Sequence, residues 1–164
     1  MATSKQYVAR ETSTVWSDTA GDLVCTLNNL AAGAVRVGAR LDLGEGSTPA
    51  EFTWRLTVQF ASAPVVGETV PIYLSWSDGA EEDGQCGSAD AAGDTNMIKN
   101  MKLIGVLVVT STDASHDMTA SGTCRIPTRY CSPVIYNKTA DNLKAANDTS
   151  EFTLTPAPPQ MQAT

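Results

Sequence analysis

Carboxylates are the reactive side chains that are most concentrated along this chain, and metal binding is the chemistry they could do. Six Asp and Glu residues fall between positions 78 and 94, and Ca²⁺ takes about six to eight oxygen ligands from flexible loops. The order of the residues is not that of an EF-hand, and no bidentate Glu follows at the required spacing. The sequence therefore favours a solvated loop, or a charged lip that meets a basic patch on a partner, over a metal site. The weaker alternative is a calcium site built from Asp78, Glu81, Glu82 and Asp83.

His116 is the single histidine, and it lies between Ser115 and Asp117. Side chains that are adjacent in sequence cannot face one another as a Ser-His-Asp triad requires. The chain also lacks a Gly-x-Ser-x-Gly elbow and a Gly-x-x-x-x-Gly-Lys phosphate loop. No pair of carboxylates stands out for glycoside hydrolysis. We therefore predict a protein without catalytic residues, and one that needs no cofactor.

The four cysteines, at positions 25, 86, 124 and 131, contain no Cys-x-x-Cys pair. Their spacing does not support a zinc site. Cys25 shares an alternating face with Leu23 and Leu27, which predicts a small buried hydrophobic residue.

Charge and hydropathy exclude two classes of partner. The 164 residues include 18 acidic and 11 basic side chains, for a net charge of -7, and binding to a phosphate backbone needs clustered Lys and Arg. The longest apolar run, Leu103 to Val109, is far shorter than the ~20 residues that cross a bilayer. We expect neither a nucleic-acid nor a membrane partner. Because the first ten residues have no apolar stretch of signal-peptide length, we expect synthesis in a cytoplasm.

Strict alternation of apolar and polar residues is the dominant pattern, and it predicts half-buried strands. On strand 51–60 it places Trp54 in the core, and on strand 69–76 it does the same for Trp76. Helical periodicity is limited to short turns at 95–101 and 139–146. The remaining strands are predicted at 34–43 and 103–109 and, more weakly, at 13–17, 22–28, 117–126, 133–137 and 151–155.

Eight or nine short strands with turn residues between them predict an all-β fold, an antiparallel, jelly-roll-like β-sandwich. The predicted domain spans residues 13–155 and includes a long acidic loop at 77–94. An N-terminal arm, 1–12, precedes it, and an extended, Pro-rich C-terminal tail, 156–164, follows it.

Two strands have unusual patterns. Residues 103–109 are apolar at every position, which predicts a central strand covered on both sides, with its outer face against a neighbouring subunit. Pro71 lies within a strand pattern, so that strand is expected to be an edge strand or to carry a bulge there.

Several residues are therefore candidates for contact with partners. The arm and the tail can lie across a neighbour and become ordered on contact, and Trp16, next to the arm, could be exposed. An exposed Trp16 would suit sugar stacking, which keeps a carbohydrate-binding module as an alternative function. The interface candidates are Tyr7, Trp16, Leu103, Val106, Val108, Pro158, Pro159 and Met161.

Three stretches of sequence, mainly in the second half of the chain, resemble a known class of proteins. They are TVPIYLSWS at 69–77, IPTRYCSPVIYN at 126–137 and FTLTPAPPQMQ at 152–162. In this order they resemble small virion structural proteins of tailed bacteriophages, and specifically capsid decoration (cement) proteins.

The resemblance implies a non-enzymatic protein on the outer surface of the capsid. It implies binding to the lattice of the major capsid protein and to other copies of the chain, as a homotrimer. It also implies a structural role at a strand start for Arg129, whose guanidinium can hold backbone carbonyls or a carboxylate, and for Tyr130. A tail, collar or head-fibre adaptor of the virion is the related alternative.

Overall fold

Two β-sheets packed face to face make up the structure, which is a computed structural model. It describes residues 12–44, 51–77, 87–146 and 148–157. In these ranges the chain forms eleven strands and one 3-10 turn, Met97–Asn100. The strands are β1 (Thr14–Ser17), β2 (Leu23–Val24), β3 (Val35–Val37), β4 (Leu41–Asp42), β5 (Glu51–Val58), β6 (Thr69–Ser77), β7 (Ala91–Gly93), β8 (Lys102–Val108), β9 (Met118–Arg125), β10 (Tyr130–Tyr136) and β11 (Glu151–Pro156).

The five-stranded sheet has the order β2-β1-β11-β5-β9, and the six-stranded sheet has the order β7-β3-β10-β6-β8, with β4 also paired to β10. All pairs are antiparallel except β1 with β2. The chain crosses repeatedly between the two sheets. The fold is therefore a jelly-roll-like β-sandwich, as the alternating pattern predicted.

The core lies between the sheets and is built from the inward residues of both. Phe52, Leu56 and Phe152 from one sheet are buried, as are Ile72 and Leu74 from the other. Cys25 is completely buried, as predicted, and Trp54 is 4% exposed. Trp76 is partly buried and packs against the same core.

Trp54 lies between two glycines on neighbouring strands. A Cβ on Gly105 of β8 would overlap the indole ring, and one on Gly122 of β9 would lie 2.8 Å from its Cζ2. Because neither glycine has a side chain, the indole ring of Trp54 fits between β8 and β9. Within the described residues, the buried Trp54 Nε1 has no hydrogen-bond partner.

Trp16 corrects the expectation of an exposed aromatic. It is completely buried, its Nε1 donates to the carbonyl of Ala39 at 2.7 Å, and its ring centroid is 5.7 Å from that of Phe152. The register explains the burial, because Trp16 pairs with the inward-facing Phe152. Trp16 is therefore not available to a partner or a sugar.

The strand at 103–109 is also placed differently from the prediction. Among the described strands β8 is an edge strand, because the six-stranded sheet ends there. It is therefore not the central strand that the sequence predicted. β6 is an inner strand that carries Pro71, and its pairing with β8 shifts register between Ile72 and Tyr73. The extra residue at this shift is Ile104 of β8, because Ile72 pairs with Gly105 and Tyr73 with Leu103. The strand that carries Pro71 is therefore neither an edge strand nor the bulged one, and the irregularity lies on its partner.

The remaining differences concern boundaries. The predicted strand 34–43 is divided into β3 and β4, because Gly38 lies close to Pro133 and Cys25 and the next residue, Ala39, donates to Val24 instead of continuing along β10. The segment 139–146 is not helical. Part of the predicted long loop is strand β7, and β11 extends through Pro156.

Several of the described ranges stop at one end of the sandwich, which we call the Tyr130 end. A short connection from Arg125 of β9 to Tyr130 of β10 identifies this end in both sheets. Ser77 pairs with Tyr130 there, and Pro156 pairs with Phe52. The last described residues on this side are Thr12, Gly44, Ser77 and Ala157. The candidates Tyr7, Pro158, Pro159, Met161, Asp78, Glu81, Glu82 and Asp83 lie outside the described residues.

We expect Trp54→Ala to lower the free energy of unfolding by roughly 3–5 kcal/mol, because it leaves a large cavity between the sheets. Urea denaturation measures this change. Val24→Ala, at a 45% exposed valine, is the control and should change stability by less than about 0.5 kcal/mol. A loss below about 1 kcal/mol for Trp54→Ala would contradict the assigned packing.

Gly105→Ala should destabilise the wild-type protein because its Cβ meets the indole. In the Trp54→Ala background the same change should cost much less, since the space is then vacant. A double-mutant cycle checks this coupling, and additive effects of the two changes would contradict it.

Candidate functional site

Part of the outer face of the six-stranded sheet is apolar, although the outer face of an antiparallel sandwich is commonly polar. Val35 and Val37 of β3 point to this face, on the side opposite to Arg36, and Val134 of β10 lies beside them. Tyr73 of β6 is the next residue across, and it pairs with Leu103 of β8. The apolar surface therefore runs across the sheet from β3 to the β8 edge.

The chain covers one half of this face with its own residues. Val35, Val37 and Val134 are buried in a second, smaller cluster, separate from the main core. Met97, Ile98 and Met101, from the 3-10 turn and the residue after it, pack against that cluster. The short segment after β7 thus serves as a cover for the β3–β10 half of the sheet.

An ion pair fixes the beginning of β7, the strand that leads into this covering segment. Asp90, immediately before β7, accepts a hydrogen bond from Arg36 Nε at 2.7 Å, and its second oxygen pairs with the same guanidinium. Thr26 also donates to Asp90, from its backbone N–H at 3.1 Å and its hydroxyl at 2.6 Å. Burial by itself would raise the pKa of Asp90, but the hydrogen bonds from Arg36 and Thr26 outweigh it and lower that pKa.

No residue within the described ranges covers the other half of this apolar surface, along β8. Leu103, Val106 and Val108 of β8 are 47%, 40% and 49% exposed. Val65 and Val66 are each 57% exposed, and their turn is held next to the end of β8, because Gly67 donates to Val109 and Val109 donates to Glu68, both at 2.9 Å. We call these five residues the β8 strip. Of the six large hydrophobic residues that are exposed in the described part of the chain, only Val24 lies outside it.

The backbone of β8 is open on the same side. One edge of the strand pairs with β6, and within the described ranges no strand pairs with its other edge. β8 lies against β9 of the opposite sheet at this flank, but the two strands belong to different sheets. The β8 strip thus combines exposed apolar side chains with the unpaired edge of a sheet, and such an edge can accept a further strand.

The outer face of the five-stranded sheet is chemically different. It holds a groove of about 520 Å³ whose side chains are mainly hydroxyls, including Ser13, Thr53 and Thr155. Ser13 and Thr155 share a hydrogen bond of 2.7 Å, and the groove's cation, Arg55, is paired with Glu151 at 2.8 Å. Hydroxyls without a neighbouring base are weak nucleophiles, so the groove does not present an arrangement for covalent catalysis.

At the Tyr130 end, Arg129 holds a carboxylate as the resemblance implied. Its Nε and one terminal nitrogen donate to the two oxygens of Asp42 at 2.7 and 2.8 Å. The hydrogen bonds from Arg129 and from the backbone of Gly44 lower the pKa of Asp42 to about 2. The guanidinium carbons of Arg40 and Arg129 lie 4.4 and 5.0 Å from the centroid of the Tyr130 ring. These contacts fix the start of β10.

The groups considered for chemistry are dispersed. His116 is exposed in a turn where its backbone N–H donates to Asp113. Burial raises the pKa of the Cys25 thiol far above its usual range, and it raises that of Cys124 to about 11, so neither is a thiolate near neutral pH. Within the ranges that the structure describes, no cluster of three His, Cys, Asp or Glu residues could hold a metal ion.

Of the predicted interface residues, the structure brings Leu103, Val106 and Val108 together. Sequence reasoning missed Val65 and Val66, which complete the strip. The two adjacent valines between Pro64 and Gly67 could have indicated these residues. Both lie in a turn, where adjacent apolar side chains are not expected to be buried in the core. No described helix is long and apolar enough to span a membrane.

Comparisons with known proteins give similarity of shape alone. No protein-family model and no curated protein matches the chain. Among solved structures, murine APRIL, crystallised at pH 5.0, is similar with a TM-score of 0.40 and 8% identity, over 73% of this chain and 74% of that chain. At this level the likeness carries no argument about function.

We expect Asp90→Asn to destabilise the protein in a pH-dependent way. A carboxylate with a lowered folded-state pKa stabilises the fold above its unfolded pKa, near 3.8, and this contribution is lost as the pH falls through the lower folded value. The difference in unfolding free energy between wild type and Asp90→Asn should therefore be largest at pH 7 and shrink below about pH 4. Urea denaturation at pH 7, 5, 4 and 3 measures it.

Thr26→Val removes only one of the hydrogen bonds to Asp90 and should show a smaller difference of the same sign. If the difference for Asp90→Asn were the same at pH 7 and pH 3, the ion pair would not be the source of the stabilisation.

Proposed function

We propose that this chain is a non-enzymatic structural protein of a tailed-bacteriophage virion, which decorates the capsid surface and stabilises it by binding the lattice of the major capsid protein. The observation that carries the proposal is the β8 strip. Exposed large hydrophobic residues are concentrated there, on one edge of the described part of the molecule. The resemblance of the three stretches at 69–77, 126–137 and 152–162 supports the same conclusion.

The argument from the strip is one of solvation. Leaving apolar area in water costs about 25 cal/mol per Å², and exposed apolar patches above a few hundred Å² usually mark interaction sites. Single exposed valines such as Val24 need no explanation, but five exposed apolar residues on one strand and the turn beside it do. A surface of this kind is suited to being covered by another protein surface, either that of the shell or that of another copy of the chain.

The Tyr130 end suits attachment to something large. The described ranges stop on this side at Thr12, Gly44, Ser77 and Ala157, and Arg129, Asp42 and Tyr130 brace the strand starts there. We expect the arm and the tail predicted from the sequence to contact one partner surface together. We propose that this end faces the shell.

Stabilisation of a shell by such a protein follows from linkage. A ligand that binds only the assembled state stabilises it by RT ln(1 + [L]/Kd), about 4 kcal/mol at a thousandfold excess over Kd. Each occupied lattice site adds its own contribution. The acidic surface limits self-aggregation and non-specific binding to nucleic acid.

Of the two alternative functions, only the virion adaptor is still supported by an observation. A tail, collar or head-fibre adaptor would use the same kind of surface at another place in the virion. The carbohydrate-binding module depended on an exposed Trp16, which is buried, so that alternative has lost the observation on which it was based.

The test is binding to heads purified from a phage strain in which the gene for this chain is deleted. We expect the protein to co-sediment saturably with these heads and to raise the temperature at which they release DNA. Unassembled capsid protein is the control and should bind far less. Absence of co-sedimentation would refute the proposal, and immunolabel confined to the tail or the collar would favour the adaptor.

We expect deletion of residues 2–12 to weaken attachment to heads while the melting temperature of the free protein stays nearly the same. Every core residue that the structure describes lies after the deleted segment. Co-sedimentation and thermal melting of the truncated chain measure the two effects. Wild-type affinity in the truncated protein would show that the arm does not take part in attachment.

A further inference from the structure

We propose that the β8 strip pairs with the same strip of a second copy about a twofold axis, so that the protein in solution is a dimer, in place of the homotrimer that the resemblance implies. This inference rests on the proposed function only in taking the strip as an assembly surface. It names the occupant of the strip.

The absence of charge in the strip favours a copy of the same chain. Each chain has a net charge of -7, so two copies repel one another over most of their surfaces. From Leu103 to Val109 the sequence has no charged residue, and Val65 and Val66 add none. The carboxylate of Glu68, next to the turn, accepts hydrogen bonds from the backbone N–H of Ala140 at 3.2 Å. Two copies can therefore meet at the strip without bringing like charges together.

The unpaired edge of β8 favours a strand as the contacting element. Native proteins usually protect sheet edges with charges, prolines or a covering segment. The outward residues Val106 and Val108 carry no such protection after Lys102 at the strand start. A second β8 in antiparallel orientation would pair both open edges at once and would join two six-stranded sheets into one. Antiparallel pairing of identical strands generates a twofold axis by itself.

The number of such surfaces favours a dimer over a ring. A closed ring of three needs two different complementary patches on each copy, whereas a twofold contact uses one patch twice. In the described part of the chain the other half of the apolar face is covered by Met97, Ile98 and Met101. The opposite sheet presents hydroxyls instead. The described surface thus offers one apolar patch, the β8 strip, and a twofold contact needs only one.

The experiment is sedimentation equilibrium of the full chain at micromolar concentration. We expect a mass twice the 17.3 kDa of one chain. Val106→Lys and Val108→Lys place charges on the outward face of the strand and should raise the dissociation constant of the dimer at least tenfold, with an unchanged circular dichroism spectrum. Val24→Lys, a matched change at an exposed valine outside the strip, should remain dimeric.

Crosslinking tests the orientation of the two copies. Val106→Cys lies at the middle of the strip and should give a crosslinked dimer with a short bismaleimide. Val24→Cys and the wild-type chain, with its native cysteines, are the controls and should give none. A monomeric or trimeric wild type, a dimer that persists in Val106→Lys, or a dimer that Val106→Cys fails to crosslink would overturn the inference.

The two proposals can fail separately. A dimer that does not bind heads would refute decoration and leave the pairing intact. A monomer that binds heads would refute the pairing and leave decoration intact.

Discussion

A sheet with apolar side chains on both faces is stable in water only when both are covered, and the described part of this chain supplies only part of the second cover. The inner face of the six-stranded sheet packs on the five-stranded sheet through residues such as Ile72 and Leu74. The outer face is covered over β3 and β10 by Met97, Ile98 and Met101, and it is exposed along β8. Hydrophobic burial is the main driving force in both folding and association, so the part of the sheet that folding leaves exposed is where association is favoured.

Polar contacts hold the covering segment over the β3–β10 half of the sheet. Arg36 and Thr26 hold Asp90, so the covering segment starts at a fixed position on the sheet. At the Tyr130 end, Arg129 and Asp42 fix the start of β10. Arg36 and Arg129 each bind a carboxylate close to the end of a strand. These ion pairs orient the backbone there. The chemistry of these charged groups is structural, and the working surface that we propose is apolar.

The alternation of residue types predicted the core well. The inward positions of β5 are Phe52, Trp54, Leu56 and Val58, all buried as the pattern indicated. Alternation is a local property, because successive side chains of a strand point to opposite faces wherever the strand lies. It could not predict that Gly105 and Gly122 meet at Trp54 from two other strands. It also could not predict that Trp16 packs on Phe152, which is distant in sequence.

The sequence by itself determined the all-β class, the positions of most strands, the buried faces and the apolar character of residues 103–109, since each follows from local periodicity and composition. Tertiary structure alone decided that β8 is an edge strand, that Val65 and Val66 lie beside it, and that the 3-10 turn covers one half of the outer face but not the other. These features depend on which strands become neighbours. Strand order is set by the sum of long-range contacts across both sheets, and no single stretch of sequence contains that information.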